Sequence, residues 1–234
     1  MRCTLKTDEV AVFDDLFEPD RFKHFVQYFN TLDFRFRHSD GWLKVWKLTD
    51  GNILSGKELQ ASRAPFNNQM DWVHYMVSAL SQSHAKEICG EFGKDYHEII
   101  YTPYVYPIGT RISWHDDHGY SAACIFYCHP SWHPEWGGEL QIAKTDSFTE
   151  AVDDPIDDQI QRKYIPRLLN KHGFGTYISP LPNRMVFTKG SVWHAINRVD
   201  KIAGDSARHS VVAFFRKRDE PKPIASASQS CQGT

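Results

Sequence analysis

The sequence predicts an α+β fold, with helices buttressing a largely antiparallel β-sandwich or barrel. Helix-like periodicity is concentrated in the first part of the chain, up to about position 95 of 234. From position 96 onward, short β-rich runs follow one another between turns, and such segregation of helices from strands is the α+β pattern. The third observation is composition. The chain is 41% hydrophobic and 24% charged, as expected of a globular protein large enough to bury its own core. We read residues 1–220 as one domain, with helical support over 1–95 and a β core over 96–218. The Ser-, Pro- and Gln-rich segment 221–234 is expected to be a disordered tail.

Each element has its own signal. Residues 10–17 (VAVFDDLF) alternate and then meet Glu18-Pro19-Asp20, so a short strand should lead into a helix with Asp20 as N-cap. In the following run, Phe22, Phe25, Val26 and Phe29 recur at helical spacing, an aromatic stripe suited to core packing. Residues 34–50 hold Trp42, Leu43, Val45, Trp46 and Leu48 in a strand-like pattern, and 51–66 look polar and irregular. A long amphipathic helix is expected over 68–92, with Gly90 near its end. Strands follow over 96–106, 111–115, 120–128 and 139–143. The polar, acidic stretch 145–172 reads as an insertion with a helical middle, either a lid or a solvated surface loop. Strands resume at 175–178, 184–188, 194–199 and 210–215, the last the most apolar in the chain.

Composition excludes several classes. A net charge of −2 gives no electrostatic footprint for nucleic acid. No apolar run approaches the ~18 residues of a membrane span. The start, MRCTLKTDEV, lacks the apolar core of a signal peptide. Five cysteines, an odd number without a CxxC pair, read as free thiols of a reducing, cytoplasmic compartment.

The chemistry centres on residues 101–117, YTPYVYPIGTRISWHDD. His115 and Asp117 stand two apart, so in a strand they share a face while Asp116 points away. A third ligand is needed, and His194, after the apolar run MVFT, is the best candidate. Two histidines and one carboxylate with open positions opposite form the facial arrangement of non-haem Fe(II) oxygenases. A lone His-x-Asp is weak, and its surroundings decide its meaning. Here they include Tyr106 and Gly109, nine and six residues before His115, and the strand CIFYCHPSWHPEWGGEL. They also include SPLPNRMVFTKGSVWHAINRV and Arg208-x-Ser210, the latter beginning fourteen residues after His194. With these features the chain resembles the 2-oxoglutarate and Fe(II)-dependent oxygenases of the prolyl-4-hydroxylase-like branch.

That resemblance implies a double-stranded β-helix, a jelly-roll of the cupin type, buttressed by the N-terminal helices. It implies Fe(II) on His115, Asp117 and His194, with 2-oxoglutarate and O2 as cosubstrates and ascorbate as a stimulant. Arg208 would hold the far carboxylate of 2-oxoglutarate in a bidentate fork, Ser210 would add a hydrogen bond, and Tyr127 and Tyr106 would be further donors. The implied reaction is hydroxylation of an unactivated C–H bond, coupled to decarboxylation of 2-oxoglutarate to succinate and CO2. Asp117 fills the ligand position that related halogenases leave to chloride, so oxidation is expected instead of halogenation.

The substrate is expected to be a small molecule or amino-acid derivative, with a peptidyl, prolyl-type target as the alternative. Trp42, Trp46 and Arg198 are candidate substrate contacts. His118, His129 and His133 read as loop or surface residues, and His209 should face away from Arg208. Trp114 and Trp193 should pack beside the ligands they precede, and Gly137-Gly138 should form a tight turn. Two other classes compete: a zinc hydrolase on the same three ligands, and a binding domain that keeps the fold without activity. Neither has a use for an Arg208/Ser210 anchor.

Overall fold

The computed structural model describes residues 1–37, 50–61, 79, 82–117, 119–144, 169–170, 173 and 175–217. Trp42, Trp46, His118, most of the expected 68–92 helix, nearly all of the 145–172 insertion and the 221–234 tail lie outside them.

The chain opens with an antiparallel hairpin, β1 (Arg2–Lys6) and β2 (Val10–Asp14). Helix α1 follows over Pro19–Phe29, with Glu18 as N-cap and Pro19 in the first turn. The cap therefore lies two residues before the expected Asp20. The fixed φ of Pro19 suits the first helical position, and Asp20 instead places its charge in the first turn. Three short strands come next: β3 (Arg35–Phe36), β4 (Leu54–Ser55) and β5 (Leu59–Ala61). The stretch expected to be irregular thus holds β4 and β5, which form by pairing with a longer neighbour and not by any pattern of their own. Helix α2 (Ser83–Cys89) ends at Gly90, as its position suggested.

The remaining strands are β6 (Tyr96–Tyr106), β7 (Ile112–His115), β8 (Tyr120–Tyr127), β9 (Leu140–Ala143) and β10 (Gly175–Ile178). They end with β11 (Met185–Lys189), β12 (His194–Ile196) and β13 (Arg208–Lys217). Nine strands make one sheet, in the order β1-β2-β11-β8-β13-β6-β4-β3, with β5 paired to β6. Four make the other, in the order β10-β9-β12-β7. The segment 1–95 is therefore more than helical support, because it supplies five strands to the larger sheet.

Both faces of the larger sheet are buried, and strand alternation sorts the residues between them. Ala11, Phe13, Phe126, Phe187, Val211, Ala213 and Phe215 face a layer that includes Phe25 and Phe29 of α1 and Ile88 of α2. Phe126 is the hub, with ring centroids 5.3 Å from Phe17 and 5.4 Å from Phe25. Burying such a ring is worth about 2–3 kcal/mol, so α1 is held mainly by this apolar face. The opposite face carries Val10, Val12, Ile125, Tyr127, Val186 and Val212 against Leu140, Ile142 and Ile196 of the smaller sheet. The pocket opens between the two sheets on this inner face.

Candidate active site

His115 and His194 sit directly opposite each other on β7 and β12, their ring centroids 4.2 Å apart. Asp117 lies just beyond the end of β7, and its carbonyl accepts from Tyr120 N–H at 2.8 Å, closing a turn. Asp116 also lines the pocket, where strand alternation would have pointed it away. Potential ligand atoms of His115, Asp117 and His194 all lie within 4.8 Å of one another. Asp117 Oδ2 is 3.5 Å from His194 Nε2. Gly190 makes room for this turn: a Cβ there would meet the Tyr120 carbonyl oxygen at 1.9 Å and that of Asp117 at 2.8 Å.

Backbone carbonyls set the imidazole tautomers. His115 Nδ1 donates to the Ser113 carbonyl at 2.7 Å, and His194 Nδ1 donates to that of Val192 at 2.8 Å. In both rings the lone pair then resides on Nε2, the nitrogen a divalent metal would take. Behind His115 lies a residue that motif reading missed. Asp50 is buried, accepts a hydrogen bond from Ser113 Oγ at 2.8 Å, and has Arg111 Nε at 3.7 Å. Its carbonyl also accepts from Arg111 N–H. Asp50 thus pins β7 just before the histidine, and an isolated Asp in the sequence gives no sign of it.

The second cluster lies deeper. Arg208 is 0% exposed, the largest fully buried side chain of the described residues. Register places it opposite Tyr106 and places Ser210 opposite both Tyr104 and Tyr127. The guanidinium carbon lies 4.7 Å from the Tyr106 ring centroid and 4.9 Å from that of Tyr127. Arg208 Nη1 donates to Ser210 Oγ at a long 3.4 Å. Arg208 Nε and Nη2 and the Tyr127 hydroxyl are buried with no hydrogen-bond partner among the described residues. A buried cation with unmet donors costs several kcal/mol unless an anion joins it. Burial raises the pKa of both phenols, with Arg208 opposing, so Tyr106 and Tyr127 stay protonated as donors. The cluster therefore fits a carboxylate. Gly138 permits it, because a Cβ there would stand 3.0 Å from Arg208 Cδ.

Tyr106 links the two clusters, since it also lines a cavity of about 360 Å³ with all three triad residues. The wall includes Ile100, Ala123, Ile125, Val212 and Phe214, and Arg37, Glu58 and Arg216 also line it. Arg198 is not among its lining residues. It is exposed, and its guanidinium donates to the Gly109 carbonyl. His129 departs from expectation. It is buried, not a surface residue, with Nε2 donating to Pro180 O at 2.6 Å and Nδ1 accepting from His209 N–H at 3.3 Å. His133 is exposed as expected and caps the short 3-10 turn Pro134–Trp136. His209 points away from Arg208 and stacks on Phe29, with centroids 5.0 Å apart. Trp114 and Trp193 are partly buried.

A family model for the 2OG-Fe(II) oxygenase superfamily matches residues 101–216, a span running from β6 to β13. Among solved structures, a Pseudomonas putida prolyl-4-hydroxylase superposes with a TM-score of 0.56 at 12% identity, over 89% of this chain and 93% of that one. A Trichoplax adhaerens prolyl hydroxylase, solved with a hypoxia inducible factor peptide fragment, gives 0.52 at 12% identity, over 90% and 84%. The non-heme alpha-ketoglutarate dependent epimerase SnoN of nogalamycin biosynthesis gives 0.52 at 9% identity, over 97% and 87%. These likenesses show a shared fold, the double-stranded β-helix. No curated protein matches the sequence.

Proposed function

Since the chain belongs to the 2OG-Fe(II) oxygenase superfamily, with Fe(II), 2-oxoglutarate and O2 as its cofactor and cosubstrates, we propose that it hydroxylates a small organic molecule at the triad pocket. The observation that carries this reading is a two-histidine, one-carboxylate cluster on a cavity whose wall residue Tyr106 packs against a buried arginine with unmet donors. A zinc hydrolase would use the first and have no need of the second.

His115, Asp117 and His194 would hold the iron through Nε2, a carboxylate oxygen and Nε2. The chemistry the group supplies when bound is the coupling of O2 reduction to oxidative decarboxylation: substrate C–H becomes C–OH while 2-oxoglutarate gives succinate and CO2. The chain itself orients and encloses. Arg208 would take the distal carboxylate of 2-oxoglutarate with Nε and Nη2, and the Tyr127 hydroxyl and Ser210 Oγ would add neutral donors. Tyr106 lines the triad cavity and packs against Arg208. The apolar side chains Ile100, Ile125, Val212 and Phe214 would exclude water around the reacting C–H bond. A cavity of about 360 Å³ suits a small ligand in a largely apolar enclosure.

The test is succinate release from 2-oxoglutarate with Fe(II), ascorbate and O2, in wild type, His115→Ala and Arg208→Gln. Wild type should produce succinate without added substrate, slowly. His115→Ala should produce none, and Arg208→Gln should need a far higher 2-oxoglutarate concentration. Equal turnover in wild type and His115→Ala would refute the assignment.

A further inference from the structure

The pocket mouth carries two opposite charges that the fold does not use. Among the charged residues lining the cavity, Arg216 is paired to Glu98 at 2.9 Å, and Asp117 faces His194. Asp116 also has an interaction of its own. Arg37 and Glu58, both exposed, line the same cavity with no ion pair or side-chain hydrogen bond among the described residues. Tyr104, Tyr106 and Tyr120 line that cavity with them. The Tyr104 phenol, raised by burial, feels both charges, with Arg37 opposing the rise and Glu58 adding to it. Arg37 and Glu58 therefore both stand near Tyr104 on the cavity that the triad lines. Tyr104 in turn stands 6.0 Å from Tyr106, whose ring packs against Arg208.

Resting on the function proposed above, we propose that the substrate is a free α-amino acid, its carboxylate held by Arg37 and its ammonium by Glu58. Its side chain then enters between Tyr120, Phe214, Val212 and Ile125 toward the triad. The two cationic subsites divide the labour. Arg208, wholly buried, takes the dianionic cosubstrate at depth, and Arg37 at the mouth takes the monocarboxylate that arrives with an ammonium. An internal residue of a peptide carries neither charge and would leave both Arg37 and Glu58 unused. Residues 37 and 58 flank the strands β3 to β5, outside the span 101–216 that the family model matches. Substrate choice thus resides in this chain's own N-terminal strands, while the reaction resides in the β core.

The experiment uses the full chain loaded with Mn(II) and 2-oxoglutarate. The twenty common amino acids are titrated individually, followed by the N-acetyl and C-amide forms of any that bind. Binding is read by calorimetry, and succinate release is read in parallel with Fe(II). At least one free amino acid should bind and stimulate succinate release. Blocking either end should weaken it about tenfold or more, the effect of losing one charge-assisted contact. Arg37→Gln should erase the preference for the free carboxylate over the amide, and Glu58→Gln the preference for the free ammonium over the acetylated form. Both residues are exposed, so neither change threatens folding. If 2-oxoglutarate binds but no free amino acid does, or if blocked forms bind equally well, this inference is overturned while the oxygenase reading stands. If 2-oxoglutarate itself fails to bind the metal-loaded protein, both fall together.

Discussion

Replacing Asp50 by Asn keeps the side chain's size but removes the charge shared by Ser113 Oγ and Arg111. If the carboxylate fixes Ser113, and Ser113 fixes the His115 tautomer, Mn(II) affinity should fall about tenfold, as it does when such supports are lost. The shift in melting temperature on adding metal should shrink with it. A role confined to packing would lower metal-free and metal-loaded stability alike, and that outcome would remove Asp50 from the site. The triad itself was legible in the sequence because its residue types are rare partners at those offsets. Asp50, Arg37 and Glu58 were not, since a single charged residue acquires meaning only from what folding brings beside it. Arg198, a candidate substrate contact in the sequence, has its guanidinium on the Gly109 carbonyl and is not among the residues lining the triad cavity.

At the level of elements, the strands from β6 onward follow their sequence pattern closely, because each carries its own alternation or apolar run. β6 spans the expected 96–106. β1, β4 and β5 were missed because they form by pairing to a template strand. Tyr127 shows how such local elements serve the site. Its N–H donates to the Arg184 carbonyl, and its carbonyl accepts from Asn183 N–H. Asn183, at φ 63°, donates to Phe17 O at 2.7 Å and accepts from Phe17 N–H at 2.9 Å. One asparagine thus ties the connection before α1 to the end of the strand that bears Tyr127. Asn183→Ala loses both bonds and suffers at positive φ, so urea denaturation should show a loss of about 2–3 kcal/mol. Affinity for 2-oxoglutarate should fall as well, as Tyr127 loosens. A loss of stability with unchanged affinity would separate the clamp from the anchor.

For the molecule as a whole, the buried His129 and the half-buried His209 shape the pH response. Burial lowers His129 to about 3 and His209 to about 4, so both are neutral when folded near neutrality. The unfolded chain binds protons at these positions below about pH 6.5, and the folded one does not. Stability is therefore complete above that value and falls as pH drops toward 4, by up to about 1.4 kcal/mol per pH unit for each histidine. Asp14 adds a loss at lower pH. Burial pushes its carboxyl up, but the two-pronged Arg184 contact at 2.6 and 3.0 Å outweighs that and holds it low, so its contribution disappears as acid protonates it. Denaturation midpoints in urea should decline between pH 6.5 and 4, and His129→Gln should flatten the slope. Calorimetric titration of 2-oxoglutarate into Mn(II)-loaded protein, in wild type, His115→Ala and Arg208→Gln, asks whether the metal triad and the buried arginine hold one ligand between them. Wild type should show a single site, His115→Ala none, and Arg208→Gln binding weakened about tenfold or more with Mn(II) affinity retained. Binding of equal strength in wild type and Arg208→Gln, or binding indifferent to the metal, would refute that pairing.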